Sequence, residues 1–328
     1  MFLREKVRKI KKWGIRETSL RIIKRIIEKT FQLSRFFRPK FYFWFVKKNN
    51  PGFTIKEING CKMYLDLKND IGISRELYIY SKREHAATDF ALNTELIRKG
   101  NIILDIGSNI GYYALIWSKL VGDKGKVYAL EPVKNNFRVF KKNIELNNIN
   151  NIDAFNVAAG SENGKDYINV AEAGNISSFI SGKYSIRNRE EVNLVKIDDF
   201  LKNKDTPTIV RMDVEGYAGE ILKGMEKTLK NIKYILVEIH PHIKTKRQKE
   251  EFASILMNNN FKVERIFIDT NTSMPNKGIF LSLMHFVDKK IYNSKSMQQR
   301  LKNINKKGNL GLVFKEGGYS ILFSKDAK

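Results

Sequence analysis

NIILDIGSNIGYY, Asn101 to Tyr113, is the stretch whose reading decides the fold. Ile102, Ile103, Leu104 and Ile106 make a short apolar run of the kind that forms a strand buried on both faces. Gly107, Asn109 and Gly111 follow at alternate positions, and the two glycines let the backbone turn sharply and let a ligand lie against it. A helix-forming segment, Tyr112 to Leu120, begins at once. Strand, glycine turn and helix start together form a cradle, because the amides at a helix N-terminus point at whatever lies above the turn.

Glu131 strengthens this reading. It lies at the end of the next apolar run, Lys126 to Leu130, where an acidic side chain on the tip of the neighbouring strand can accept hydrogen bonds from both hydroxyls of a ribose. The spacing suits NAD and S-adenosylmethionine equally; a tight turn beside a solvated strand end is the plainer alternative. Beyond it, strand candidates over 102–106, 127–130, 152–158, 209–214 and 234–239 alternate with helix candidates over 112–120, 135–147, 219–231 and 245–258. Such repetition predicts a mostly parallel sheet flanked by helices, with ligands beyond the carboxyl ends of its strands. Asp105, Glu131, Asp213 and Glu238 with His240 stand at those ends and are expected to share one pocket.

The composition of the 328-residue chain sets bounds. One cysteine, Cys61, excludes a disulfide framework and a cysteine-built zinc site and suits a reducing cytosol. No run of 18 apolar residues exists, so no spanning helix is expected. The net charge of +25 is uneven: residues 1–50 hold 16 Lys and Arg against 3 Glu, about half of the excess. Leu3, Val7 and Ile10, then Leu20, Ile23 and Ile27, recur there at helical spacing among basic residues, and eight aromatic residues crowd 31–45. This leader reads as a partner for an anionic membrane surface through residues 1–48, with self-packing as the alternative and nucleic acid unlikely. A cytoplasmic protein, peripheral on the inner face of the membrane, is the corresponding localisation.

Asn49-Asn50-Pro51-Gly52 marks a boundary. The division expected is a basic, aromatic leader over 1–50, a hairpin and helix cap over 51–100, and a core over 101–328. Asn59-Gly60 joins two alternating runs, 53–58 and 61–67, which is a hairpin signal. Residues 86–98 read as a helix, 261–268 as a strand, and 311–323 as a hairpin whose last strand completes the sheet edge. The insertion at about 270–310 is longer than usual connections and suits a lid or partner surface.

DIGSNIGYYALIWSKLVGDKGKVYALEPVKNNF (Asp105–Phe137), VKIDDF (Val195–Phe200), RMDVEGYAGEILKGM (Arg211–Met225) and EIHPH (Glu238–His242) together resemble the FkbM-type S-adenosylmethionine-dependent methyltransferases. The resemblance covers roughly residues 70–245. It implies a Rossmann-like class I fold with a seven-stranded sheet, and O-methylation of a sugar, glycan or related hydroxyl; the basic leader and the insertion, if they share one face, add the expectation of a lipid-linked glycan. It also implies that Asp105, Gly107, Ser108, Asn109 and Gly111 hold the methionine part of the cofactor and that Glu131 takes the ribose. The same resemblance implies that Pro132, Asn156 and Ala158 flank the adenine and that Asp213 and Glu215 line the reaction site. Arg211 stands where the family has lysine and Ala218 where it often has glutamate, changes not expected to touch the chemistry.

Methyl transfer to a hydroxyl needs donor and acceptor in line and a base for the hydroxyl proton. Asp213 and His240 are the candidate bases, with His85 a weaker one; Asp213 with Glu215 or Glu238 leaves a divalent metal open. The chain lacks the Asn/Asp-Pro-Pro-Tyr/Phe block of base-amino methylation and the cysteine motif of pyrimidine methylation, which favours an oxygen acceptor. An NAD-type oxidoreductase and a nucleic-acid methyltransferase using the leader are the alternatives.

Overall fold

The computed structural model describes residues 52–70, 72–93, 96–171, 186–239, 246–267 and 319–325. All lie in one of the two units into which the chain divides, 52–273 with 310–328. The leader, the insertion at about 270–310 and the first half of the 311–323 hairpin lie outside the described residues.

The Asn-Gly signal is obeyed. β1 (Phe53–Ile58) and β2 (Cys61–Asp66) pair antiparallel. Asn59 and Gly60 both take positive φ, 51° and 72°, as a tight hairpin turn of this kind demands. Helices α1 (Ile73–Tyr80) and α2 (His85–Asn93) follow. The helix expected over 86–98 thus ends at Asn93.

β3 (Ile102–Ile106), α3 (Tyr112–Val121), β4 (Lys126–Leu130), α4 (Lys134–Leu146) and β5 (Ile152–Phe155) then alternate as the periodicity predicts. In α3, Tyr112 to Ser118 are all buried. Its first two turns are buried on every side because Met63 and Leu65 of β2 belong to the same core cluster as its own Leu115 and Trp117, so the hairpin and the sheet share one core.

The strand expected to run on to Ala158 breaks earlier. The Asn156 side-chain amide turns back to donate to the carbonyl oxygens of Glu131 and Pro132, both at 2.9 Å, and the chain leaves the sheet. A second, three-stranded sheet takes over, in the order β6 (Ala158–Gly160), β8 (Ile186–Lys196), β7 (Gly164–Ala171).

A one-turn helix α5 (Ile197–Phe200) leads on to β9 (Ile209–Met212), α6 (Ala218–Lys223), β10 (Tyr234–Ile239), α7 (Lys246–Asn258), β11 (Lys262–Phe267) and β12 (Tyr319–Ser324). The single helix expected over 219–231 is cut. A β-carbon on Gly224 would collide with the carbonyl oxygen of Gly160, while Asp198 accepts hydrogen bonds from the Lys227 and Thr228 amides (2.9 and 2.8 Å) and starts a separate turn over Thr228–Lys230.

The large sheet has seven strands in the order β11-β12-β10-β9-β3-β4-β5. β5, β4, β3, β9 and β10 are parallel, and β12 runs antiparallel between β10 and β11. The last strand therefore does not complete the edge, as expected, but fills the second place from it, and β11 is the edge. Chain order reverses between β3 and β9, so the carboxyl ends of those two strands open the crevice where such sheets take ligands.

Candidate active site

Beyond β3 the chain reverses through Gly107, Asn109 and Gly111, with φ of +81°, +51° and +88°. The amides of Gly107 and Ser108 donate to the Leu130 carbonyl of β4 at 2.9 and 3.0 Å, and the Gly111 amide donates to Ser108 at 2.8 Å. Both glycines are forced by crowding as well as by φ. A β-carbon on Gly107 would meet the Asp213 carbonyl, and one on Gly111 the ring of Phe140, each inside 3.0 Å.

Glu131 at the tip of β4 is buried and tied to the same turn. One oxygen accepts from the Asn109 amide at 2.8 Å; the other accepts from the Val133 amide at 2.9 Å and the Asn136 side chain at 3.3 Å. Burial outweighs these three donors and pushes the carboxyl up to about 7.

Turn, β4 tip and the loop after β9 border an open cleft. Gly107, Asn109, Glu131, Pro132, Ala158, Asp213 and Glu215 line it, as do the apolar side chains of Val133, Ile168, Tyr217 and Ile221. Of the sequence-predicted residues, these seven come together on one surface. Asp105 and Ser108 are buried beneath it, Gly111 starts α3, and Asn156 braces the β4 tip from behind. His240 and the side chain of His85 lie outside the described residues.

On the far side of Asp213, Arg211 occupies a place that its sequence context did not predict. It stands where the family has lysine, among the carboxylates beside the Gly107 turn. Its guanidinium donates to Asp213 Oδ2 at 2.9 Å and to the Gly107 carbonyl at 3.2 Å, and it pairs with Asp105 Oδ1 at 3.4 Å. Burial opposes the charge, but Asp213, Asp105 and Glu84 overcome it and hold the guanidinium above its ordinary value. Burial dominates the other way at Asp105, raising that carboxyl despite Arg211.

Glu84 is the second residue that sequence reasoning missed. It sits in the turn before α2 with φ of 41°, and its Oε2 accepts from the Tyr113 hydroxyl at 2.9 Å. Carboxylate oxygens of Glu84, Asp213 and Glu238 lie within 4.8 Å of one another, close enough to share a hard cation. Arg211, at 3.9 Å from Glu84 as well, already supplies positive charge to two of the three. The only signal for Glu84 in the sequence was its place beside His85, which marks no motif.

A seven-stranded sheet of this order, with a glycine turn after its first parallel strand and an acidic residue at the tip of its second, is the Rossmann-like class I methyltransferase fold. Residues 105–263, a little under half of the chain, match the methyltransferase FkbM domain. The chain is 28% identical over 161 residues to the hexuronic acid methyltransferase AglP of Haloferax volcanii, covering 46% of this chain and 61% of that protein. It is 23% identical over 147 residues to methyltransferase 1 of Beauveria bassiana, covering 38% and 59%. The chain therefore spans less than two thirds of the length of these relatives. A crystal structure of an FkbM methyltransferase from Methylobacillus flagellatus KT overlaps 62% of this chain and 51% of that one, with a TM-score of 0.37 and 15% identity.

Proposed function

We propose that the protein is an S-adenosylmethionine-dependent O-methyltransferase whose acceptor is a hydroxyl of a sugar or glycan. The observation that carries this is the cleft in which Glu131 and Asp213 stand on either side of the Gly107 turn. On this reading Glu131 receives the ribose hydroxyls, the methionine part lies against the Gly107 turn, whose missing β-carbon lets it approach, and Val133, Ala158 and Ile168 offer an apolar slot for the adenine. A relative that methylates a hexuronic acid supports a sugar acceptor.

The bound cofactor supplies a methyl group on a positively charged sulfur. The residues of the cleft would hold an acceptor hydroxyl in line with that methyl group and remove the hydroxyl proton. Asp213 is held by Arg211 at the edge of the cleft, where it orients the acceptor hydroxyl and takes or relays its proton; His240 is the second candidate base. Replacing Asp213 with alanine is expected to cut methyl transfer to a panel of sugar acceptors by about a thousandfold while leaving S-adenosylhomocysteine affinity within about threefold. Undiminished turnover in that variant would remove Asp213 from the reaction. Calorimetry with S-adenosylhomocysteine against NAD separates this reading from an oxidoreductase.

The basic, aromatic composition of residues 1–48 supports work at an anionic membrane surface, which would suit a lipid-linked acceptor. Among the described residues no helix is long and apolar enough to cross a membrane. The full chain is expected to pellet with phosphatidylserine-containing vesicles and the chain lacking residues 1–48 to stay in solution. Equal pelleting of both would discard this part of the reading.

A further inference from the structure

Arg211 lies at the junction of two parts of the site that must act together, with a side chain 5% exposed. Nη1 donates to the Gly107 carbonyl at 3.2 Å and stands 3.4 Å from Asp105 Oδ1, so one edge of the guanidinium holds the cofactor turn. Nη2 donates to Asp213 Oδ2 at 2.9 Å and lies 3.9 Å from Glu84 Oε1, so the other edge holds the reaction-side carboxylates. Its plane rests on the ring of Tyr113, 4.4 Å from the centroid, and the hydroxyl of that ring fixes Glu84. A planar fork makes all these contacts at once; an ammonium cannot.

The charge at this junction also matters. Asp105, Asp213 and Glu84 surround the Arg211 guanidinium, and a carboxylate oxygen of Glu238 lies within 4.8 Å of those of Asp213 and Glu84. The second arginine nearby, Arg83, is paired mainly with Glu76, at 3.1 Å, stands 3.6 Å from Glu84, and also interacts with Asp213 and Glu238. A sulfonium entering above the Gly107 turn is a cation, whereas the thioether left after transfer is neutral. Carboxylates here favour the first over the second, and they do so in the ground state, because the sulfonium charge is being lost in the transition state. Too strong a grip would therefore slow the transfer.

We propose that Arg211 is a positioning residue that locks Asp213 and Glu84 to the cofactor turn. By cancelling part of their charge, it also sets how strongly the cleft prefers the sulfonium cofactor over its thioether product. This rests on the reading of the cleft as an S-adenosylmethionine site. The test is the ratio of the dissociation constants of S-adenosylhomocysteine and S-adenosylmethionine, measured by calorimetry at about pH 8, above the usual carboxylate range. Arg211→Met is expected to raise the preference for S-adenosylmethionine about tenfold, and Arg211→Lys, which keeps the charge, to leave it within about twofold. Asp213→Asn removes a negative charge and is expected to lower the same ratio about tenfold, a change of opposite sign that remains measurable if Arg211→Met shows no cooperative melting. A merely structural role for Arg211 changes both affinities by the same factor. That result in Arg211→Met, or an unmoved ratio in Asp213→Asn, overturns the proposal. Failure of the unmodified protein to bind either compound overturns the reading of the cleft instead.

Discussion

Gly107→Ala is expected to abolish S-adenosylhomocysteine binding, a loss of more than about a hundredfold, and to cost about 3 kcal/mol of stability. Two effects add. A φ of +81° is strained for any L side chain, and the new methyl would press on the Asp213 carbonyl, which is backbone and cannot rotate away. The strand β3 and the loop after β9 would have to part. That movement breaks the bond from the Asp213 amide to the Ile106 carbonyl (3.1 Å) and carries the cleft floor with it. Gly219→Ala is the matched control: a β-carbon there meets nothing within 4 Å, it lies in the first turn of α6, and the change is expected to leave binding intact and add up to about 1 kcal/mol. Thermal melts and calorimetry on both variants decide the matter. Normal ligand affinity in Gly107→Ala would mean that the cofactor does not use this turn.

The parallel half of the sheet and the glycine turn that borders the cleft were legible because local chemistry dictates them. Ile102 to Ile106 can only be a buried strand, Gly107 and Gly111 mark positions that no β-carbon can occupy, and the reach of Glu131 to Asn109 follows from adjacent parallel strands. What escaped were features set by tertiary contacts. Asn156 ends β5 by bonding to the neighbouring strand's tip, and Asp198 splits the helix after β9 from 29 residues away. The β7–β8 hairpin pairs Gly164 with Leu194 across a separation that no short-range turn signal spans. The pairing of Glu84 with Arg211 was hidden for a related reason: Glu84 carries no motif, and only the packing of the α1–α2 turn against the end of β9 makes them neighbours. Arg211 was visible as a substitution, and its effect on Asp105 and Asp213 follows from the longer reach of a guanidinium.

Cofactor affinity is expected to rise about tenfold between pH 6 and pH 8, and Glu131 is the cause, since its carboxyl titrates at about 7. In the free protein burial favours the protonated acid. Ribose hydroxyls donate hydrogen bonds and so favour the carboxylate, whose oxygens already accept from Asn109, Val133 and Asn136. Binding therefore expels a proton when the pH lies below the folded value, and calorimetry in buffers of different ionisation enthalpy should register nearly one proton released at pH 6 and almost none at pH 8. The same shift has the opposite sign for the stability of the free protein. A carboxyl raised in the folded state binds more protons there than in the unfolded chain, so its stabilising contribution is complete below the ordinary glutamate range and is lost as the pH rises towards 7. Ligand binding should thus be strongest where this term leaves the free protein weakest. Glu131→Gln keeps the shape, cannot ionise, and is expected to flatten the pH dependence while weakening binding by about a hundredfold at pH 8. A pH profile unchanged by that substitution would place the titrating group elsewhere and separate Glu131 from the ribose.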